Sequence, residues 1–343
     1  MSAAAAIEEP LDIEEEDPIV TDTQETVVIP ETADFLPPSV PIKHTHKSTT
    51  YLTEIPKEIL ASPSEPCVLG VDEAGRGPVL GPMVYGIAYC LKSYEQTLKK
   101  KYGFADSKTL TEVKRTNLLE QICLPNGELF ENVGWSTRTM TAMDISSGML
   151  RPHTVGNYNL NEQAHDATMD LIQGVLDQGV NITELYVDTV GPPVTYQAKL
   201  QKRFPNLKIT VAKKADALYP CVSAASICAK VTRDFSLSMS KDELYGSETI
   251  WGSGYPSDPK TSKWLNSAVD PIFGWDQVVR FSWQTSKDAI IKNGGVDIEW
   301  EEDNIKEDYG VDVGAMFKNS KDSDLSNLPV SKLWFGKNVD CFN

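Results

Sequence analysis

Cys67-Val68-Leu69-Gly70-Val71 is an apolar run cut off by Asp72-Glu73, and Met83 to Cys90 (MVYGIAYC) is a second one. Both read as short strands. The connection between them, Ala74 to Pro82, is nine residues long and rich in Gly and Pro. Parallel neighbours need a crossover of a dozen residues or more, so these two strands are expected to run antiparallel. The pairing leaves the acidic pair Asp72-Glu73 at the mouth of the turn.

Further elements follow from periodicity. Val133 to Met140 fits a third strand, and Thr109-x-x-Glu112 is a capping box expected to open a helix through about Ile122. Tyr158 to Gln178 is the clearest helix: Leu160, Ala164, Ala167, Leu171 and Val175 share one narrow face, and Gly179 supplies the stop. A strand at Glu184–Val187 ends at Asp188. A helix-like stretch, Thr195–Arg203, and a strand, Lys208–Ala212, come next, with Asp216 just beyond. Strand, helix and strand of these lengths imply a right-handed parallel crossover. Tyr219 to Asp234 reads as a helix rich in Ala and Ser, small enough to lie close on a sheet. Beyond it only loops and short helices are expected. The fold class is α/β: a mixed sheet flanked by helices, with a C-terminal helical appendage.

Charge divides the chain. The formal net charge is −17, of which residues 1–50 carry −9 and residues 295–343 carry −6, leaving −2 for the middle. A near-neutral body is compatible with a local basic groove, so the acidic total does not exclude a nucleic-acid partner. Residues 1–50 are expected to be a disordered acidic leader and 66–235 the folded body. Residues 236–294 read as a helical and loop extension, and 295–343 as an acidic tail whose late apolar patch, Leu333-Trp334-Phe335, fits partner docking. No stretch approaches the ~18 apolar residues of a spanning helix, so no membrane partner is expected. The six cysteines are scattered without a CxxC pair, and no basic stretch followed by an apolar core opens the chain. They read as small reduced hydrophobes of an intracellular protein, and no Cys/His metal cluster exists.

The strand ends carry the chemistry. Asp72, Glu73, Asp188 and Asp216 converge at one sheet edge if the first and fourth strands are neighbours. Taken singly, each is an ordinary solvated turn residue. Together, without His or Cys, they form a hard-oxygen set suited to Mg²⁺ or Mn²⁺. The Gly75-Arg76-Gly77 loop after the first strand is not a Walker loop, lacking Gly-Lys-Ser/Thr and a following helix. It lets backbone approach a substrate edge while Arg76 can pair a phosphate bidentately. Lys213-Lys214, beside Asp216, either balances the carboxylates or touches phosphate. Lys99-Lys100-Lys101 reads as a solvated run, and His165 as solvated or hydrogen-bonded. Tyr255 lies in a Pro-flanked loop.

These segments resemble the type 2 ribonuclease H family, in its eukaryotic three-subunit form. The matching stretches are Cys67–Tyr85 (CVLGVDEAGRGPVLGPMVY), Asp106–Leu110 (DSKTL), Tyr158–Asn161 (YNLN) with His165-Asp166, and Leu176–Asn181 (LDQGVN). They continue with Val187–Gly191 (VDTVG), Lys214–Lys230 (KADALYPCVSAASICAK), Gly252–Thr261 (GSGYPSDPKT) and Phe281–Trp283 (FSW). The resemblance spans about residues 66–290. It implies a ribonuclease H-like sheet of five strands, three antiparallel extended by two parallel. It implies that Asp72, Glu73, Asp188 and Asp216 hold two metal ions, that Gly75, Arg76, Gly77 and Lys108 contact substrate, and that Tyr255 reads the ribonucleotide. The implied activity is metal-dependent hydrolysis of RNA in RNA/DNA hybrids and at single ribonucleotides in duplex DNA. The products would carry 3′-OH and 5′-phosphate ends. Two auxiliary non-catalytic subunits and a nuclear location are implied as well. Two other readings remain open on the residues alone: a non-catalytic scaffold on the same fold, and a phosphotransferase using the Gly-rich loop.

Overall fold

The computed structural model describes residues 35–104, 110–151, 155–156, 158–189 and 191–296. The expected docking patch at Leu333–Phe335 lies outside them.

Six strands form one sheet in the order β1-β4-β3-β2-β5-β6. They are β1 (Thr49–Leu52), β2 (Cys67–Ala74), β3 (Met83–Leu91), β4 (Gly134–Met140), β5 (Ile182–Asp188) and β6 (Lys208–Ala212). The short turn makes β2 and β3 antiparallel, with Asp72 opposite Gly86 and Glu73 opposite Tyr85. β2 pairs in parallel with β5, and β5 with β6. The first and fourth strands of the sequence reading are therefore neighbours, as convergence of the carboxylates requires.

The helices are α1 (Lys57–Ala61), α2 (Glu95–Tyr102), α3 (Glu112–Cys123), α4 (Glu128–Asn132), α5 (Ala142–Met149) and α6 (Leu160–Asp177). Then come α7 (Pro193–Arg203), α8 (Ala215–Leu218), α9 (Pro220–Tyr245), α10 (Pro259–Ala268) and α11 (Gln284–Lys292). None of them is long and apolar enough to cross a membrane. Cys67, Cys90, Cys123, Cys221 and Cys228 are all free thiols.

Strand alternation sorts the core into two layers. Cys67, Leu69 and Val71 of β2 pack with Ala164, Leu171 and Val175 of α6 and Tyr196 and Leu200 of α7. Val68 faces the other way, onto Ala224, Ala225 and Cys228 of α9 and Leu118 and Leu119 of α3. The small-residue helix expected on the sheet is α9, and its approach is backbone to backbone. A Cβ at Gly70 would lie 2.3 Å from Val222 N, so only glycine fits there.

A third apolar cluster belongs to the extension: Trp251, Trp264, Leu265, Trp275, Val278 and Ala289. Its centre also includes Val79 and Leu80 from the turn after β2, both fully buried. The turn is stitched in by Val79 N to Gly254 O (2.8 Å), Gly81 N to Val278 O (2.7 Å) and Arg280 N to Val79 O (2.9 Å).

Four expectations need correction. The sheet has six strands rather than five, because Thr49–Leu52 adds an antiparallel edge on β4. Residues 35–50 are accordingly not all leader: Ser39 and Val40 are buried, and Ser39 Oγ hydrogen-bonds Thr232 Oγ1 of α9 at 2.7 Å. The residues up to 34 lie outside those described. Helix α9 runs eleven residues past Asp234 and so crosses the expected boundary at 235, because Leu237 is buried in the extension's apolar cluster and Ser240 is buried against His44. Finally, the cap of α3 is Thr111, whose side chain accepts from Lys114 N, rather than Thr109.

Candidate active site

Asp72 and Glu73 are consecutive on β2, so their side chains leave opposite faces of the sheet. Asp72 is 7% exposed and points to the α9 side, where its carboxylate meets Ser226 and accepts from Glu73 N at 2.7 Å. Glu73 points to the α6–α7 side, facing Arg76 and Tyr196. Asp188 ends β5 and faces both of them.

Electrostatics register the convergence. Burial pushes the Asp72 carboxyl well above the ordinary carboxylate range, and the charges of Glu73 and Asp188 push the same way. Burial raises Glu73 to about 7; Arg76 opposes the rise and Asp188 adds to it.

Asp188 and Asp216 are anchored differently. Asp188 Oδ1 accepts from Ala215 N at 2.9 Å, and Asp216 Oδ1 accepts from Ala217 N at 3.0 Å. The tight turn from β6 into α8 thus sets Asp216 one residue from the amide that Asp188 holds. Among the described residues no three His, Cys, Asp or Glu side chains close on a single point. The structure joins Asp72, Glu73 and Asp188 electrostatically and sets Asp216 at their margin, as an open set of oxygens rather than a cage.

The Gly75–Gly77 loop lies directly beyond. Arg76 donates through Nη2 to Asn161 Oδ1 at the start of α6, while its Nη1 is buried with no hydrogen-bond partner. Tyr255 comes to the same place from the extension: a Cβ at Gly77 would meet its ring at 3.3 Å. The Tyr255 ring is 43% exposed, and its loop is set by Gly254 N donating to Thr261 Oγ1 at 3.0 Å. Lys108 and the rest of 105–109 lie outside the described residues.

Two residues that sequence reasoning left without a role hold this loop. Arg280 is fully buried and donates to Gly81 O (Nε, 3.0 Å), Arg76 O (Nη1, 2.9 Å) and Gly75 O (Nη2, 2.5 Å). Its guanidinium lies 4.7 Å from the centre of the Trp283 ring, and Trp283 Nε1 donates to Gly77 O at 3.0 Å. Four donors therefore turn the loop carbonyls inward. Burial lowers the Arg280 guanidinium to about 9, with Arg233 and Arg76 adding repulsion, so it stays charged at neutral pH. The available signal was the FSW stretch, which directly follows Arg280. His165 is hydrogen-bonded, as expected: its Nδ1 lies 3.3 Å from Lys199 Nζ and its ring stacks on Tyr196.

The family model described as Ribonuclease HII matches residues 69–286. The A subunit of ribonuclease H2 from Schizosaccharomyces pombe is 49% identical over 308 residues, covering 88% of each chain. The Homo sapiens protein of the same name is 50% identical over 240 residues, covering 69% of this chain and 77% of its own. Among solved structures, the ribonuclease H2 from Pyrococcus horikoshii OT3 aligns with a TM-score of 0.53 at 30% identity, covering 66% of this chain and 98% of that one. RNase HII from Archaeoglobus fulgidus, solved in a complex with PCNA, aligns at 0.53 and 26% identity, covering 69% and 99%. The match spans the carboxylates, the Gly75–Gly77 loop and the extension that carries Tyr255, and the chain belongs to the ribonuclease HII family, a ribonuclease H.

Proposed function

We propose that this chain is the catalytic component of a multi-subunit ribonuclease H that cuts the RNA strand of RNA/DNA hybrids. It also cuts 5′ of single ribonucleotides embedded in duplex DNA, leaving 3′-OH and 5′-phosphate ends. The observation that carries this reading is the meeting of Asp72, Glu73 and Asp188 beside a glycine loop that touches Tyr255. A scaffold has no need of acids gathered where burial and mutual repulsion oppose their ionisation.

The donor set fits divalent cations. It is all oxygen, it is anionic, and the raised carboxyls of Asp72 and Glu73 are those a cation would return to their ionised state. Mg²⁺ is ordinarily held by one or two carboxylates and substrate phosphate together, which suits an open set. Asp72, Glu73, Asp188 and Asp216 would hold two ions, Mg²⁺ or Mn²⁺, supplying Lewis-acid activation of water and stabilisation of the leaving 3′ oxygen.

The residues of the chain do the rest. Arg76 offers its unpaired Nη1 to a phosphate while Asn161 fixes its other nitrogen. The side-chain-free edge at Gly75 and Gly77 admits a sugar close enough for backbone contact with a 2′-OH, the mark that separates RNA from DNA. Tyr255 supplies a ring for the next sugar, where a deoxyribose fits better. The relatives are each named as one lettered component of ribonuclease H2, which supports a multi-subunit assembly; two auxiliary non-catalytic subunits are the composition that the family resemblance implies. The substrate class supports a nuclear site of action.

The test compares two substrates at fixed salt and metal: a duplex with one embedded ribonucleotide and a continuous RNA strand paired to DNA. Tyr255→Ala is expected to depress cleavage of the first more than the second, by about 1–3 kcal/mol in barrier. Equal losses would mean that Tyr255 supports binding and does not read the junction. Full activity of the wild-type assembly in the presence of a chelator would overturn the metal reading.

A further inference from the structure

Among the described residues only Asn126 and Lys214 are non-glycines with positive φ. Asn visits this region readily; an ordinary side chain does so at a cost. Lys214 has φ 55° and ψ 41° at the step from β6 into α8. The backbone needs that conformation, because it swings the Ala215 amide onto Asp188 and sets Asp216 beside it. Glycine would meet the need without strain, so the geometry explains the turn and leaves the lysine unexplained.

The lysine side chain takes no part in the fold. It makes no cap hydrogen bond, forms no ion pair among the described residues and is exposed. Of the arginines near the site, Arg280 is taken by three loop carbonyls and Arg233 by Asp234 (3.1 Å), while Asn161 holds one nitrogen of Arg76; Lys213, next to Lys214, is exposed like it. Lys214 therefore stands as an exposed ammonium without an ion pair among the described residues, one residue from the amide that anchors Asp188 and two from Asp216. A strained residue kept at such a place is a pointer to use.

We propose that Lys214 is a substrate-binding residue that takes a phosphate of the cleaved strand, at the Asp188–Asp216 end of the carboxylate set. The proposal rests on the nuclease reading above and adds to it a second cation on the backbone of the same strand. The ammonium is a point charge with three donors, suited to a phosphate whose orientation is already set elsewhere.

The experiment uses the assembled enzyme and a duplex carrying one ribonucleotide, with Lys214→Gly, Lys214→Asn and Lys214→Arg. Gly and Asn accept the backbone conformation and remove the charge, so thermal stability is expected at or above that of the wild type. KM is expected to rise about tenfold, the size of one charge-assisted hydrogen bond. The salt slope of log kcat/KM is expected to become shallower by about 0.7–0.9, the signature of one fewer neutralised phosphate. Lys214→Arg is expected to restore most of both. The same effect should appear as weaker duplex binding when Lys214→Gly is placed in an Asp72→Asn background, so it is read independently of turnover. An Asp72→Asn enzyme that still cut would sink the metal reading without touching this one. Wild-type KM and salt slope in Lys214→Gly would overturn the proposal, leaving a turn residue only. A shifted pH profile with an unchanged salt slope would overturn it in favour of a charge-balancing role.

Discussion

Asp72 and Glu73 are held by the sheet, whereas Asp188 and Asp216 help to hold it. The first pair lies on β2, a central strand with β3 on one side and β5 on the other, so its backbone is fixed before the side chains do anything. Its carboxyls are buried and pushed toward the protonated form. The second pair lies where the parallel half ends, and each of its residues spends one oxygen on a backbone amide of the turn into α8. Asp72 also accepts from an amide, that of its neighbour Glu73, but only Asp188 ties two separate elements together, and it does so at the cost of repelling the first pair.

The difference can be broken by substitution. Asp72→Asn is expected to reduce cleavage by orders of magnitude while raising the stability of the metal-free chain by about 1 kcal/mol or more, since it removes a carboxyl whose ionisation burial, Glu73 and Asp188 all oppose. Asp188→Ala is expected to lose cleavage as fully but to cost about 1–2 kcal/mol, because Ala215 N–H loses its acceptor. Thermal melts of the two variants in a chelating buffer check this. The same sign of shift in both would dissolve the contrast.

At the loop after the first pair, Arg280→Met should cost about 2–4 kcal/mol, because the carbonyls of Gly75, Arg76 and Gly81 lose buried donors together. Cleavage should fall with it through misplacement of Gly75–Gly77. The check is kcat against KM in variant protein kept well below its melting temperature. Normal kinetics in folded Arg280→Met would mean that the loop keeps its shape without the guanidinium.

Titration sharpens the comparison further. Glu73 has a folded value near 7 against an ordinary 4.5, so its protonated form is the one the fold prefers. That preference is fully present below about pH 4.5 and is lost as pH rises through about 7. The metal-free chain should therefore lose stability across this window, Glu73→Gln should flatten the loss, and Mg²⁺ should raise the melting temperature more at pH 8 than at pH 5. Chemical denaturation across pH with and without Mg²⁺ measures it. The smallest effect expected is that of Trp283→Phe, about 1 kcal/mol for the single bond to Gly77 O.

Much of this arrangement is legible in the chain. The antiparallel β2–β3 pair follows from a connection too short for a helix, and α6 from its apolar stripe. The four carboxylates can be gathered from strand ends once β2 and β5 are set side by side. What escapes is set by contacts distant in sequence. Arg280 reaches carbonyls some two hundred positions earlier, and nothing local to it says so. β1 is four residues with alternating half-burial, too short to stand out beside polar neighbours. Residues 35–48 dock through isolated contacts such as Ser39 with Thr232 and His44 N with Glu243 Oε2, which leave no periodic trace. The left-handed backbone of Lys214 is likewise invisible in a lysine.

The chain does not divide cleanly between its two ends. Val79 and Leu80 belong to the turn that follows the buried acids, yet they sit inside the apolar cluster built by Trp251, Trp264, Trp275 and Val279. The carboxylate-bearing sheet and the extension that carries Tyr255 share those two residues as a common rivet. A fragment stopped after Tyr245 would carry every carboxylate and still leave Val79 and Leu80 with only the end of α9 to cover them, where they would invite self-association. The distance from the acids to the Tyr255 ring is thereby built in as a gauge, and a chain shortened at that point loses its solubility along with its measure.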